Sequence, residues 1–229
     1  MDEAEGRVYA ATGNAIGDRA SEPLAQAVVA LDARTLEPLD AWQNPTPLEN
    51  ADFGAAPTLF EAGGRHLVAA ASKDGWLYVL DRASLAAGPV WKVQLAVTAG
   101  DGQGGDPLAG LGTIVPPAFA NGVLLAAGGR TPAGDPGALL ALDPATGAVV
   151  WRHVTPGPVL QPAAATAEVI AVVSAFTDAG GAVLELLDAA TGTRLVSFDA
   201  PAPSFSAPSF GAGALFWATA DGTVRGLAR

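Results

Sequence analysis

The sequence predicts an all-β fold, a β-propeller of four-stranded antiparallel blades, on three observations. Half of the 229 residues are hydrophobic and only 15% are charged, with 28 Gly and 18 Pro. That mix suits many short buried strands joined by tight turns better than helices with charged outer faces. One pattern recurs: "VVALDARTLEPLDAW" (Val28 to Trp42), "LYVLDRASLAAGPVW" (Leu77 to Trp91), "LLALDPATGAVVW" (Leu139 to Trp151) and "LELLDAATGTRLVSF" (Leu184 to Phe198). Its aspartates, Asp32, Asp81, Asp143 and Asp188, return at spacings of 49, 62 and 45 residues, the range of propellers and solenoids.

Each copy is an alternating apolar run ending in Leu-Asp, a turn, and a second run closing on an aromatic. The turn explains its own letters. The Asp143 carboxylate can accept bonds from the amides just ahead of it, Pro144 supplies the φ of a type I turn, and Gly147 the left-handed residue that restarts the strand. Where Leu36 and Leu85 replace that glycine, a looser turn is expected. Trp42, Trp91, Trp151 and Phe198 are expected to wedge between neighbouring sheets, where a flat aromatic buries most area.

Two further runs lie between successive turn motifs, such as "APTLF" with "HLVAAAS" and "PPAFA" with "VLLAAGG". The head, "GRVYAATGN", begins at the second strand of a blade, and the tail supplies three strands. The tally is about four to five blades in a single, incomplete propeller domain over residues 1–229. Open ring ends leave the strands near Arg7 and near Thr223 to Leu227 as unpaired edges. The isolated chain is therefore expected to self-associate or to need further blades.

Several functions are excluded at this level. A net charge of −11 repels phosphate backbones and argues against nucleic-acid binding. The absence of cysteine removes disulfides and thiolate metal sites. No apolar run approaches the length of a transmembrane helix, and the acidic start "MDEAEGRVYA" reads as lacking a signal peptide. "DFG" at Asp52 to Gly54 is not a kinase metal-binding triplet, because no His-Arg-Asp loop accompanies it.

The repeat, best kept as "ALDPATGAVVW" (Ala141 to Trp151), resembles the tryptophan-docking repeat of pyrroloquinoline-quinone (PQQ) propellers. These are the quinoprotein alcohol dehydrogenases, built on eight-bladed rings, and their non-catalytic relatives. "YAATGNA" (Tyr9 to Ala15), "NADFGAAPTLF" (Asn50 to Phe60) and "SKDGWLYVLDR" (Ser72 to Arg82) resemble three site segments of that superfamily, in the same order. The "DFGA" wording is most similar to the polyvinyl-alcohol-dehydrogenase-like branch. The resemblance implies Asn14 as a calcium ligand, Asp52 as the catalytic base beside the calcium and also a metal ligand, and Lys73 as the cation on the quinone oxygens. It implies PQQ and Ca2+ as cofactors, an alcohol or polymer substrate, and a periplasmic or extracytoplasmic setting.

Such residue types suit that chemistry. Calcium takes oxygen ligands, a carboxylate beside it can accept an alcohol proton, and an ammonium stabilises a developing oxyanion. Without the resemblance, Gly13-Asn14 is an ordinary turn pair, Asp52 a turn cap and Lys73-Asp74-Gly75 a hairpin. The family's carboxylate calcium ligand comes from an earlier blade and is absent here, and Glu3 and Glu5 sit in no matching motif. The isolated chain is therefore expected to be inactive. A non-catalytic scaffold that binds protein or polymer through its loops stays open as the alternative. His66 and His153 lie in strand patterns and read as structural. The Gly-rich "AGDGQGGDPLAGLG" (Ala99 to Gly112) ends in no phosphate-loop signature and reads as a mobile loop over one face.

Overall fold

The computed structural model describes residues 1–45 and 48–228. They form five antiparallel sheets of three or four strands, in the order 3, 4, 4, 4, 3 along the chain. The first holds β1 (Arg7–Ala11), β2 (Ala27–Asp32) and β3 (Pro38–Gln43). The second holds β4 (Thr58–Ala62), β5 (Arg65–Ala71), β6 (Trp76–Asp81) and β7 (Pro89–Gln94). The third holds β8 (Ala118–Ala120), β9 (Val123–Gly128), β10 (Gly137–Leu142) and β11 (Val149–Thr155). The fourth holds β12 (Ala164–Ala165), β13 (Val169–Ser174), β14 (Ala182–Asp188) and β15 (Arg194–Ala200). The last holds β16 (Ser209–Gly211), β17 (Ala214–Ala218) and β18 (Val224–Ala228). Among the described residues the helix content is three short 3-10 turns. These sheets are propeller blades, as the repeat predicts.

The Leu-Asp turns follow their letters. Asp143 Oδ1 accepts the N–H groups of Ala145 and Thr146 at 3.0 and 2.9 Å and the Thr146 hydroxyl at 2.8 Å. Gly147 then takes φ 76°. Every copy carries the same irregularity, a register shift just before its aspartate, at Ala30/Leu31, Val79/Leu80, Ala141/Leu142 and Leu186/Leu187. A bulge here raises the local twist and aims the turn at the neighbouring sheet.

The expected looser turn at Leu36 is corrected. Leu36 donates to the Asp32 carbonyl at 2.9 Å, as Gly147 does to that of Asp143 at 2.8 Å, and its φ is 60°. The Asp32 cap and the bulge dictate the conformation, and the leucine accepts a left-handed backbone. At Leu85 the turn does lengthen: a 3-10 turn spans Leu85–Ala87, and Gly88 at φ 85° restarts the strand.

The closing aromatics seat on these turns. The Trp91 indole N–H donates to the Pro144 carbonyl at 3.2 Å, and that of Trp151 to Ala189 at 3.3 Å. A Cβ added at Gly147 or Gly192 would stand 2.6 Å from the Trp91 ring or 2.4 Å from the Trp151 ring. The aromatic of one sheet thus rests on the turn glycine of the next. Phe198 is half-buried against the cluster around Trp217. Four apolar clusters result, each between adjacent sheets; the one between the first two sheets holds Tyr9, Phe53, Tyr78 and Leu85.

Both histidines sit in ion-pair networks. His153 Nε2 lies 3.1 Å from Glu185 Oε2, which is nearly fully buried, joining the third sheet to the fourth. His66 Nδ1 lies 2.8 Å from Arg82 Nη2, and Arg82 also pairs with Asp2.

Two predictions follow from the turns. Leu36→Gly should stabilise the protein by about 0.5–1 kcal/mol by removing left-handed strain, whereas Gly192→Ala should cost about 2–3 kcal/mol by displacing the Trp151 ring. Urea denaturation of both variants checks the opposite signs. The Asp143 and Asp188 carboxyls are held below their usual value of 3.8, first by the Thr146 and Thr191 hydroxyls and then by turn N–H groups. Just below pH 3.8 the unfolded chain therefore binds more protons than the folded one. The stability these bonds give is full above that pH and is lost as pH falls through the folded-state values. Stability measured against pH should fall less steeply on the acid side for the Asp143→Asn, Asp188→Asn double variant; an unchanged slope rules the turns out as the cause.

Candidate functional site

In an antiparallel blade alternate connections share one end of the sheet. The loop between second and third strands therefore lies on the same face as the link to the next blade. Asn14 lies between β1 and β2, Asp52 between β3 and β4, and Lys73 between β5 and β6. Topology alone brings all three to one face.

Their side chains meet around a fourth residue. Asn50 Oδ1 accepts Asn14 Nδ2 at 3.2 Å and Lys73 Nζ at 3.2 Å. The Lys73 ammonium also lies 2.8 Å from Asp52 Oδ1. That approach is off the direction of a hydrogen bond, so the buried Asp52 Oδ1 accepts none. The backbones are joined as well, with Lys73 N–H donating to the Asp52 carbonyl at 3.0 Å. Asn14 Oδ1 in turn accepts Gln26 Nε2 at 2.8 Å. Asn14, Gln26, Glu49, Asn50 and Gln103 line an open cleft of about 580 Å³. Asp52 and Lys73 do not line it and connect to it through Asn50.

The adjacent carboxylate, Asp74, differs in kind. It is 3% exposed and accepts Asn44 Nδ2 at 2.7 Å, the Tyr78 hydroxyl at 2.5 Å and the Trp76 N–H at 3.0 Å. It is a saturated structural acid. Asp52 Oδ1 instead has the Lys73 ammonium as its single close polar partner.

The Gly-rich segment is not the mobile loop expected. Gly104 and Gly105 donate to the Glu49 and Lys73 carbonyls, the Gly105 carbonyl accepts Asn50 Nδ2 at 3.5 Å, and the Gln103 amide donates to Glu49 at 3.0 Å. A Cβ at Gly104 would fall 2.0 Å from the Asn50 carbonyl oxygen. The glycines let the loop lie backbone to backbone on the site.

Sequence reasoning missed Asn50 and Gln26. Asn50 opens the segment that contains Asp52, and a positive φ of 53° makes it one of the residue types that tolerates that region. Gln26 has φ 49° and is 3% exposed, and nothing in its sequence neighbourhood marks it. Gly104→Ala should lift the loop from Asn50; faster proteolytic cutting within residues 99–112, with the fold otherwise kept, checks it.

Residues 73–186 match a protein family described as outer membrane protein assembly factor BamB. Among solved structures, a quinohemoprotein alcohol dehydrogenase from Comamonas testosteroni superposes with a TM-score of 0.62 at 21% identity. The match covers 94% of this chain and 42% of the dehydrogenase, so the chain spans less than half of that protein's length. A computationally designed protein, Ika4, superposes with a TM-score of 0.53 at 16% identity, over 82% of this chain and 98% of the design. No curated protein matches the sequence. Likeness at these identities establishes the fold.

Proposed function

We propose, from the premise that this chain is a PQQ-repeat β-propeller, that its loop face carries part of a quinoprotein-type dehydrogenase site acting on an alcohol or polyol. The observation that carries the reading is the meeting of Asn14, Asn50 and Lys73 on one amide oxygen with Asp52 at 2.8 Å from the lysine. A scaffold has no need of Asn14, Asp52 and Lys73 gathered together on one face.

The donor set fits calcium in kind. Asp52, Asn14 and Asn50 offer hard oxygen atoms, which now face the Lys73 ammonium, Gln26 Nε2, and Asn14 Nδ2 with Lys73 Nζ respectively, so an ion would have to displace these partners. Asn14 and Asp52 would hold the ion and Lys73 would face the quinone oxygens. Bound there, the quinone would supply the oxidant and calcium a Lewis acid. Asp52 would take the substrate hydroxyl proton, with the Lys73 ammonium 2.8 Å away to face the developing negative oxygen. Asn50 would hold the lysine in place, and the docked 99–112 loop would exclude water from the pair. A single carboxylate leaves the calcium weakly held, because affinity rises with ligand charge. The setting that goes with such a site is extracytoplasmic.

The chain should therefore show weak, calcium-dependent PQQ binding, with a dissociation constant of about 1 mM, and no alcohol turnover. Absorbance titration of PQQ measures it. Lys73→Ala and Asp52→Asn should each weaken the binding further while circular dichroism stays unchanged. Identical isotherms for the parent chain and both variants would remove the site assignment. A second reading, a protein-binding scaffold, is favoured by the family description matched over residues 73–186. It gains if PQQ leaves no spectral trace.

A further inference from the structure

The cleft of about 580 Å³ that Asn50 connects to the Asp52–Lys73 pair is polar on nearly every side. Asn14, Arg19, Gln26, Glu49, Asn50 and Gln103 line it, and among the described residues Leu48 is its one large apolar side chain. Ligand clefts are usually apolar with a few polar groups, and this one inverts the ratio. No aromatic ring of the described residues lines it, so the face of a sugar ring has nothing to stack on.

Two of the lining side chains carry buried atoms without hydrogen-bond partners: Arg19 Nε and Nη2, and Gln26 Oε1. Gln26 is 3% exposed, and its amide nitrogen is held by Asn14 Oδ1 at 2.8 Å, which leaves the carbonyl oxygen as a free acceptor. The Nε–H and Nη2–H groups form the edge of a guanidinium that grips a carboxylate with two parallel bonds. Arg19 has acids close by in sequence, yet each is engaged elsewhere. Asp18 Oδ1 accepts the Ala20 N–H at 3.0 Å, and Glu22 accepts the Ile16 and Gly17 N–H groups at 3.1 and 2.8 Å. In the cleft itself, Glu49 Oε2 accepts the Gln103 amide at 3.0 Å. A buried guanidinium edge without an acceptor is costly, and a chain of net charge −11 has carboxylates to spare for it.

We propose that this cleft binds an open-chain polyhydroxy carboxylate, with Arg19 gripping the carboxylate and the carboxamides of Asn14, Gln26, Asn50 and Gln103 meeting the hydroxyls. A carboxamide both donates and accepts, which matches the two roles of a hydroxyl. Gln26, Asn14 and Asn50 are already bonded to one another, so they are positioned before a ligand arrives. The Arg19 side chain is half-buried, and a turn of its guanidinium brings the free edge into the cleft. The carboxylate then supplies the acceptors that this edge lacks, and a ligand hydroxyl supplies the donor that Gln26 Oε1 lacks. One planar fork suits a single carboxylate, and the near absence of apolar wall turns away alcohols with a hydrocarbon body. As a substrate class the polyhydroxy carboxylate rests on the dehydrogenase reading; as a ligand class it does not.

The probes are gluconate and sorbitol, which differ at one end carbon, a carboxylate against a hydroxymethyl group. The full chain is titrated with each, without PQQ or calcium, and binding is read by ligand-observed NMR. Gluconate should saturate with a dissociation constant below about 1 mM, and sorbitol should bind about tenfold or more weakly. The overall negative charge of the protein works against this order, so a preference for the anion reports a local cation. Arg19→Gln should bring the two ligands to the same affinity, with circular dichroism unchanged. Acetate at equal concentration should not displace gluconate, because it has no hydroxyls for the amides to meet. Absence of saturation with gluconate, equal binding of gluconate and sorbitol, a preference that survives Arg19→Gln, or displacement by acetate overturns the proposal. Failure of the PQQ titration would remove the dehydrogenase reading and leave these isotherms as they stand.

Discussion

The structure hangs on a flat aromatic ring lying on a glycine in the next sheet's turn. Trp91 on Gly147 and Trp151 on Gly192 leave no space for a Cβ, and each indole N–H is bonded to a turn carbonyl. The contact fixes both the distance between sheets and their relative angle, because a rigid ring with a directional N–H allows little sliding. The aspartate cap and bulge set the turn that receives the ring, and the ring sets the sheet whose own turn comes next. A local sequence motif thus propagates into a global arc. The first pair departs from the pattern: a Cβ added at Gly88 would stand 3.6 Å from Trp42 Nε1, an ordinary contact, and the Trp42 ring instead packs 4.9 Å from Tyr78. There the carboxylate of Asp40 reaches across to the Leu85 N–H at 2.6 Å and takes over part of the joining.

What could be read in the letters was what repeats. The Leu-Asp turns, the closing tryptophans and the strand tally, with its incomplete first and last sheets, all follow from patterns copied along the chain. Leu36 shows where reading by residue type fails. The turn is over-determined by Asp32, whose carboxylate accepts the N–H groups of Arg34 and Thr35 at 2.8 and 2.9 Å, so the backbone holds its form and the side chain bears the strain. The site was half legible for a related reason. Asn14, Asp52 and Lys73 stand in segments with family wording, but Asn50 and Gln26 act through contacts between loops of different sheets. Such contacts have no period and no fixed spacing.

Two acids in neighbouring loops differ in how they are held. Asp74 is wholly enclosed by donors from three residues, and its carboxylate serves to tie Asn44, Tyr78 and Trp76 together. Asp52 is almost as buried but faces a single partner, the Lys73 ammonium at 2.8 Å. An acid held by one cation is less tied into its surroundings than one enclosed by three donors. The Gly-rich loop lies against the backbone of the same segments, with Gly104 and Gly105 bonded to the Glu49 and Lys73 carbonyls.

The β1 side of the first sheet and the loop site share a foundation. Tyr9, on β1, lies in the cluster that also contains Phe53 and Tyr78. Phe53 sits edge-on to Tyr78 at 6.2 Å. Tyr78 in turn holds Asp74, the residue after Lys73. Phe53 adjoins Asp52 in sequence and Tyr78 holds the neighbour of Lys73, so the packed rings reach both members of the Asp52–Lys73 pair. Close-packed aromatic contacts transmit displacements because they have no slack to absorb them. The β1 side of the first sheet and the ion pair are thus two ends of one aromatic cluster.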